Sequence, residues 1–151
     1  MAEETDIQTE APTAPVDDIL VGLSALPGAH EVKRALGEAI ILTTREAAHA
    51  LLLALRDQLE FQQVMDICAV DYPERAARFE MVYNLLCVTR NQRVRVIFST
   101  DEAAEVASVT DIWPVAGWWE REVWDLFGIR FNGLADHRRI CLLYTSDAAD
   151  E

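Results

Sequence analysis

Arg78–Ser99, RFEMVYNLLCVTRNQRVRVIFS, is the stretch that decides the fold. Phe79, Met81, Tyr83, Leu85 and Cys87 alternate with Glu80, Val82, Asn84 and Leu86, the two-residue period of a β-strand. Thr89-Arg90-Asn91-Gln92 supplies the polar residues of a hairpin turn. The return strand, Arg93–Ser99, alternates Val94, Val96 and Phe98 with Arg93, Arg95 and Ile97. One face of this hairpin is apolar and the other partly basic.

Outward from the hairpin, Phe61–Ala69 reads as a preceding strand, broken at Asp71-Tyr72-Pro73 because proline pushes the residue before it out of helical geometry. Arg45–Leu59 reads as an amphipathic helix with Ala48, Leu52, Leu55 and Leu59 on one stripe. Thr43 and Glu46 have capping-box spacing at its start. Glu38–Thr43 is an apolar run of strand length, and Asp17–Gly37 a short amphipathic segment interrupted at Pro27-Gly28. Asp101–Thr110 is a loop or a last edge element. Pro114–Gly117 introduces a second helix, about Gly117–Phe127, which Gly128 stops as a C-terminal cap. The order strand, helix, three strands, helix predicts an α+β (mixed α/β) fold, with a helix packed on a largely antiparallel sheet.

The chain has 151 residues, enough for one domain with a core, and 51% of them are apolar. Its net charge of −13 is concentrated at the ends. Nine of the 26 acidic residues and none of the bases lie in 1–18 and 147–151, leaving 17 acids against 13 bases between. Such a balance is a poor match to nucleic acid, whose phosphates need clustered Lys and Arg. Residues 1–16, acidic with Pro and Thr, are expected to be disordered. No run approaches the roughly 18 apolar residues of a membrane helix. Met1–Glu10 carries four acids and no base, unlike a secretory or mitochondrial leader. The expectation is a cytoplasmic bacterial protein that reaches a membrane only through partners.

Cys68, Cys87 and Cys141, with His30, His49 and His137, show no metal-ligand spacing. Cys68 and Cys87 sit in apolar runs and read as small buried residues. The six glycines form no phosphate loop. The expectation is no catalytic, cofactor or metal site on this chain.

Trp113–Phe131, WPVAGWWEREVWDLFGIRF, holds all four tryptophans, with Glu120, Arg121, Glu122 and Asp125 threaded between aromatics. Trp119, Val123 and Phe127 repeat every four residues as a core stripe, while Trp118 and Leu126 lie off it. Apolar residues around most of a helix call for deep burial or a second partner surface, which suggests a docking element. Glu120 and Glu122 point roughly 200° apart on a 3.6-residue helix and have no nucleophile nearby, so an acid–base pair is disfavoured. They read instead as a charged face on which Arg121 pairs with Asp125 at i,i+4. Arg90, Arg93 and Arg95, and separately Arg130, Arg138 and Arg139, form two basic sets that read either as solvated charge or as charge complementary to acidic neighbouring subunits.

DICAVDYPERAARFEMVYNLL (66–86), DIWPVAGWWEREVWDLFGIRFNG (111–133) and DHRRI (136–140) together resemble the C subunit of bacterial respiratory NADH:quinone oxidoreductase, the 30 kDa subunit family of complex I. The likeness covers about 38–140. Its most specific part is Glu120-Arg121-Glu122-x-x-Asp125-Leu126-Phe127-Gly128-Ile129, preceded by Val70-Asp71-Tyr72 and Arg78-Phe79-Glu80. The resemblance implies a non-catalytic peripheral-arm subunit on the cytoplasmic face of the bacterial inner membrane. It implies a subunit that holds no cofactor, inside a complex that uses FMN, iron–sulfur clusters, NADH and quinone. Its expected partners are subunits D and B. The family signature and interface residues are then Trp118, Trp119, Glu120, Arg121, Glu122, Asp125, Phe127, Gly128, Arg138 and Arg139.

Two departures stand out. Gly133-Leu134-Ala135-Asp136-His137-Arg138-Arg139 lacks the family's Gly-His-Pro step and has His137 in a leucine's place, so no histidine role carries to Leu134. CLLYTSDAADE (141–151) resembles nothing in the family, which points to a truncated reading frame or a foreign end. The domain is therefore expected over 17–140. Rival readings are the equivalent subunit of a membrane-bound hydrogenase or formate-oxidising complex, and a stand-alone acid–base enzyme using Glu120 and Glu122.

Overall fold

A five-stranded sheet and three helices enclose one apolar cluster in the computed structural model, which describes residues 17–35 and 38–140. The tails expected at 1–16 and 141–151 lie outside the described residues. In chain order the elements are α1 (Asp17–Ser24), β1 (Glu31–Ala35), β2 (Glu38–Leu42), α2 (Arg45–Leu59), β3 (Gln63–Asp71), β4 (Phe79–Cys87), β5 (Gln92–Thr100), β6 (Val106–Ala107), α3 (Ala116–Phe127) and β7 (Phe131–Asn132). The main sheet has the order β1-β2-β5-β4-β3. All its pairs are antiparallel except β2 with β5, so the α+β expectation holds. A short parallel pair, β6 with β7, stands apart from it.

The alternation in β4 places Phe79, Met81, Tyr83, Leu85 and Cys87 in the core. Val94, Val96 and Phe98 of β5 join them, and Tyr83 stacks on Phe98. Asn91 takes the left-handed conformation in the turn, which asparagine tolerates. On the opposite face a polar ladder crosses four strands. Asn84 donates towards Asp66, and Arg95 donates to Asn84 (3.0 Å) and Glu38 (2.9 Å). Arg95 is thus engaged within the sheet rather than offered to a neighbour. Arg90 likewise turns back to Glu60 and to the carbonyl of Leu59. Cys87 is buried as expected, whereas Cys68 is only half-buried on the ladder face.

Helix α2 has the expected limits and buries Ala48, Leu51, Leu52, Ala54 and Leu55, with Leu59 partly buried. Its cap differs from the expected one. Thr44, not Thr43, accepts from the N–H of Ala47 (3.4 Å). Thr43 is held away by donating to the carbonyl of Gly28 (2.6 Å). The expected box is therefore replaced by a single cap bond, since Ala47, three residues after Thr44, has no carboxylate to return it. Helix α1 and strand β1 occupy the segment expected only as interrupted and amphipathic. β1 is a charged edge strand, exposed along most of its length, and its Lys and Arg blunt the sheet edge.

The hairpin between β3 and β4 brings two signature fragments together. Arg78 grips Asp71 with two 2.6 Å hydrogen bonds and also reaches Glu102. The N–H of Tyr72 donates to the carbonyl of Arg78 (2.8 Å), and Arg75 lies over the Tyr72 ring. A bidentate pair of this kind closes a loop with geometric specificity.

Candidate functional site

The stretch leading into α3 is stapled to the rest of the domain before the helix begins. Arg56 of α2 donates to the carbonyl of Ile112 (2.9 Å), and the Trp113 indole donates to the carbonyl of Gln62 (3.0 Å). His49 of α2 meets Asp111 (3.0 Å). Helix α3 then packs beside β3, Phe127 meets Phe79 edge-on, and Val123 is buried. Gly128, left-handed at φ 74°, ends the helix as expected, its N–H donating to the carbonyl of Trp124 (2.8 Å).

Glu120 departs most from its expected place on a charged outer face. Its side chain is fully enclosed, at 0% exposure. One oxygen accepts from Ser108 Oγ (2.7 Å) and the other from the backbone N–H of Val109 (2.7 Å). Burial raises its pKa above the usual glutamate value, and the hydrogen bonds from Val109 and Ser108 oppose that rise. Tyr83, wholly buried, is pushed well above the usual tyrosine value by burial and by the nearby Glu120 charge. Glu120 therefore ties the 108–110 turn to α3 from inside the domain.

Arg121 and Asp125 do not form the expected i,i+4 pair; each turns to the chain at 136–140. Arg121 Nε and Nη2 donate to the carbonyls of Arg138 (2.9 Å) and Arg139 (3.1 Å), and Nη1 lies 3.7 Å from Asp136. Asp125, buried, accepts from the N–H of Ile140 (3.0 Å), with Arg139 Nε at 3.5 Å. His137 packs edge-on against Trp124. The Arg138 side chain is exposed and pairs with Asp136, whose carboxyl is held well below the usual range by that hydrogen bond.

Trp119 is half-buried and packs against the core. Glu122 is half-buried. Trp118, at 61% exposure, and Leu126, at 47%, face outward, and Arg121 lies 5.3 Å from the Trp118 ring. Of the ten residues expected at an interface, α3 thus offers Trp118 as an outward aromatic, with Leu126 of the same signature exposed about two turns further on, while Glu120, Arg121 and Asp125 are spent inside the chain. Sequence reasoning missed Ser108, Val109 and Trp124 as partners of the signature. The pair of hydroxyl residues flanking Val109, Ser108 and Thr110, was the available signal for the first.

Among the described residues no group of three His, Cys, Asp or Glu side chains could hold a metal ion. No helix among them is long and apolar enough to cross a membrane. An open depression of about 420 Å³, lined by Arg45, Glu46, Glu105, Ala107 and Asn132, contains no residue of α3.

The model of the respiratory-chain NADH dehydrogenase 30 Kd subunit family matches residues 41–149. The chain belongs to this family. Its matched span begins at the end of β2, includes α2, β3 to β5 and all of α3, and runs on beyond Ile140. It is 54% identical over 108 residues to the C subunit of NADH-quinone oxidoreductase from Erythrobacter litoralis, covering 72% of this chain and 43% of that protein. It is 51% identical over 92 residues to NADH dehydrogenase [ubiquinone] iron-sulfur protein 3 of Arabidopsis thaliana, covering 61% of this chain and 48% of that one. The chain thus spans about half the length of these relatives. A solved structure of a membrane-bound sulfane sulfur reductase, an archaeal respiratory membrane complex, contains a chain of similar fold. That likeness has a TM-score of 0.68 and 26% identity, over 78% of this chain and 70% of the other.

Proposed function

We propose that this chain acts as a non-catalytic peripheral-arm subunit of a proton-translocating NADH:quinone oxidoreductase. Family membership across α2 to α3 is the observation that carries this reading. In it, NADH, FMN, iron–sulfur clusters and quinone are handled by neighbouring subunits, D and B being the direct partners. The chain reaches the cytoplasmic face of the inner membrane through them. Trp118 and Leu126 are the apolar contacts, presented by a helix whose charged signature holds it rigid from both sides. Large aromatics of this kind are the usual anchors of an interface. The acid–base alternative fits poorly, because Glu120 is enclosed and both its oxygens are occupied.

A second reading, the equivalent subunit of another membrane-bound respiratory complex such as a hydrogenase or formate-oxidising enzyme, draws support from the archaeal likeness. Deleting the gene and assaying membranes separates the two. Loss of NADH:quinone reductase with hydrogen and formate oxidation intact supports the first reading. The opposite loss supports the second.

A further inference from the structure

We propose that residues 136–140 form a strap latched to α3 through their backbone, and that Arg121 is a latch which also sets the pose of Trp118. Arg121 is largely enclosed, with its side chain 12% exposed, so its charge needs partners in place of water. It finds them in the carbonyls of Arg138 and Arg139, which the planar guanidinium reaches with two separate donors. Asp125 holds the next peptide group by accepting from the N–H of Ile140. Three successive residues are therefore gripped by groups that their side chains do not supply. The Arg138 side chain stays 81% exposed while its carbonyl is taken.

The same guanidinium lies over Trp118, the most exposed large aromatic of the helix. With the strap seated, the Arg121 plane is fixed by two hydrogen bonds and gives the Trp118 ring a cationic partner. With the strap lifted, Arg121 loses both acceptors and the ring loses a fixed neighbour. The docking face exists in its observed form only when the strap is closed, a consequence that rests on Trp118 being the docking residue. The latch itself is independent of that reading.

Trypsin tests the latch directly, because it needs an accessible arginine side chain and a backbone free to extend. Arg138 offers the first, and the latch denies the second. The full chain is digested under native conditions, with cleavage after Arg138 and Arg139 followed by mass spectrometry. Cleavage after Arg95, in the middle of β5, serves as the unfolding control. Arg121→Ala should accelerate cleavage after Arg138 and Arg139 at least about tenfold, with the Arg95 bond intact, since cleavage follows the population of the open segment. Arg121→Lys, a point charge that cannot serve both carbonyls in one plane, should fall between.

Unchanged rates in Arg121→Ala overturn the latch. Should Arg121→Ala also be cut after Arg95, Arg121→Lys decides: faster cleavage at the strap alone supports the latch, and none overturns it. Wild-type chain cut at the strap as fast as a free peptide of residues 134–145 overturns it outright. Failure of Trp118 substitutions to weaken assembly would count against the docking reading and leave these rates untouched.

Discussion

Glu120 on α3 accepts a 2.7 Å hydrogen bond from the backbone N–H of Val109, eleven residues earlier in the chain and enclosed with it in the core. A carboxylate in that position is retained at a cost, because burial raises its pKa above the ordinary value. A carboxyl with a raised folded-state pKa binds its proton more tightly in the folded chain. Its contribution to stability is therefore greatest below the usual glutamate range, and falls as pH rises through the raised value. Glutamine keeps an acceptor for Val109 and does not titrate. Denaturant melts of wild type and Glu120→Gln across this window should show wild type losing stability relative to the variant as pH rises. Glu120→Ala, which strands the buried Val109 N–H, should cost about 3 kcal/mol.

Asp71 and Arg78 carry the opposite sign. The Arg78 hydrogen bonds lower the Asp71 pKa, so the stabilisation is present above the usual aspartate value and fades as pH falls through the lowered one. Asp71→Asn should be slightly less stable than wild type at neutral pH, with the gap closing in acid. The effect is small because both side chains are about a third exposed. Urea titrations at neutral and acidic pH check both the sign and the closing.

Trp118 and Trp119 are adjacent in sequence but separable by experiment. Trp119 packs on the core, so Trp119→Ala should destabilise the domain itself by about 3 kcal/mol in thermal or urea melts. Trp118 is 61% exposed, so Trp118→Ala should change stability by about 0.5 kcal/mol or less and act on assembly instead. A melt in which Trp118→Ala is the more damaging change would reverse these roles.

Gly28 and Gly128 are both left-handed, but only the first is crowded. A Cβ on Gly28 would sit 2.8 Å from the Ala47 Cβ, whereas one on Gly128 would meet nothing within 4 Å. Gly28→Ala should cost about 2 kcal/mol or more, and Gly128→Ala about 1 kcal/mol, measured by denaturation.

The parts of this fold that were legible in sequence are those with a strong period. β4 and β5 alternate cleanly, and α2 carries a continuous apolar stripe between recognisable ends. β1 escaped because a charged edge strand that packs only Val32 against the core leaves no alternation to read. The helix cap slipped by one because two threonines stand together and tertiary contact with Gly28 decides between them. The α3 signature was visible as a motif, but its mechanics were not. Burial of Glu120 depends on a non-periodic turn, and Arg121 binds backbone carbonyls, which carry no sequence mark. The exposed pair, Trp118 and Leu126, was legible as the residues off the core stripe.

The central claim, that this chain assembles with respiratory subunits through the outward face of α3, is tested most directly by affinity purification from the cells that make it. The tagged wild-type chain should bring down the D and B subunits of the NADH:quinone oxidoreductase peripheral arm. A Trp118→Glu, Leu126→Glu double variant of unchanged thermal stability should lose most of that recovery. Equal recovery by the double variant, or a wild-type chain recovered alone, would contradict the account.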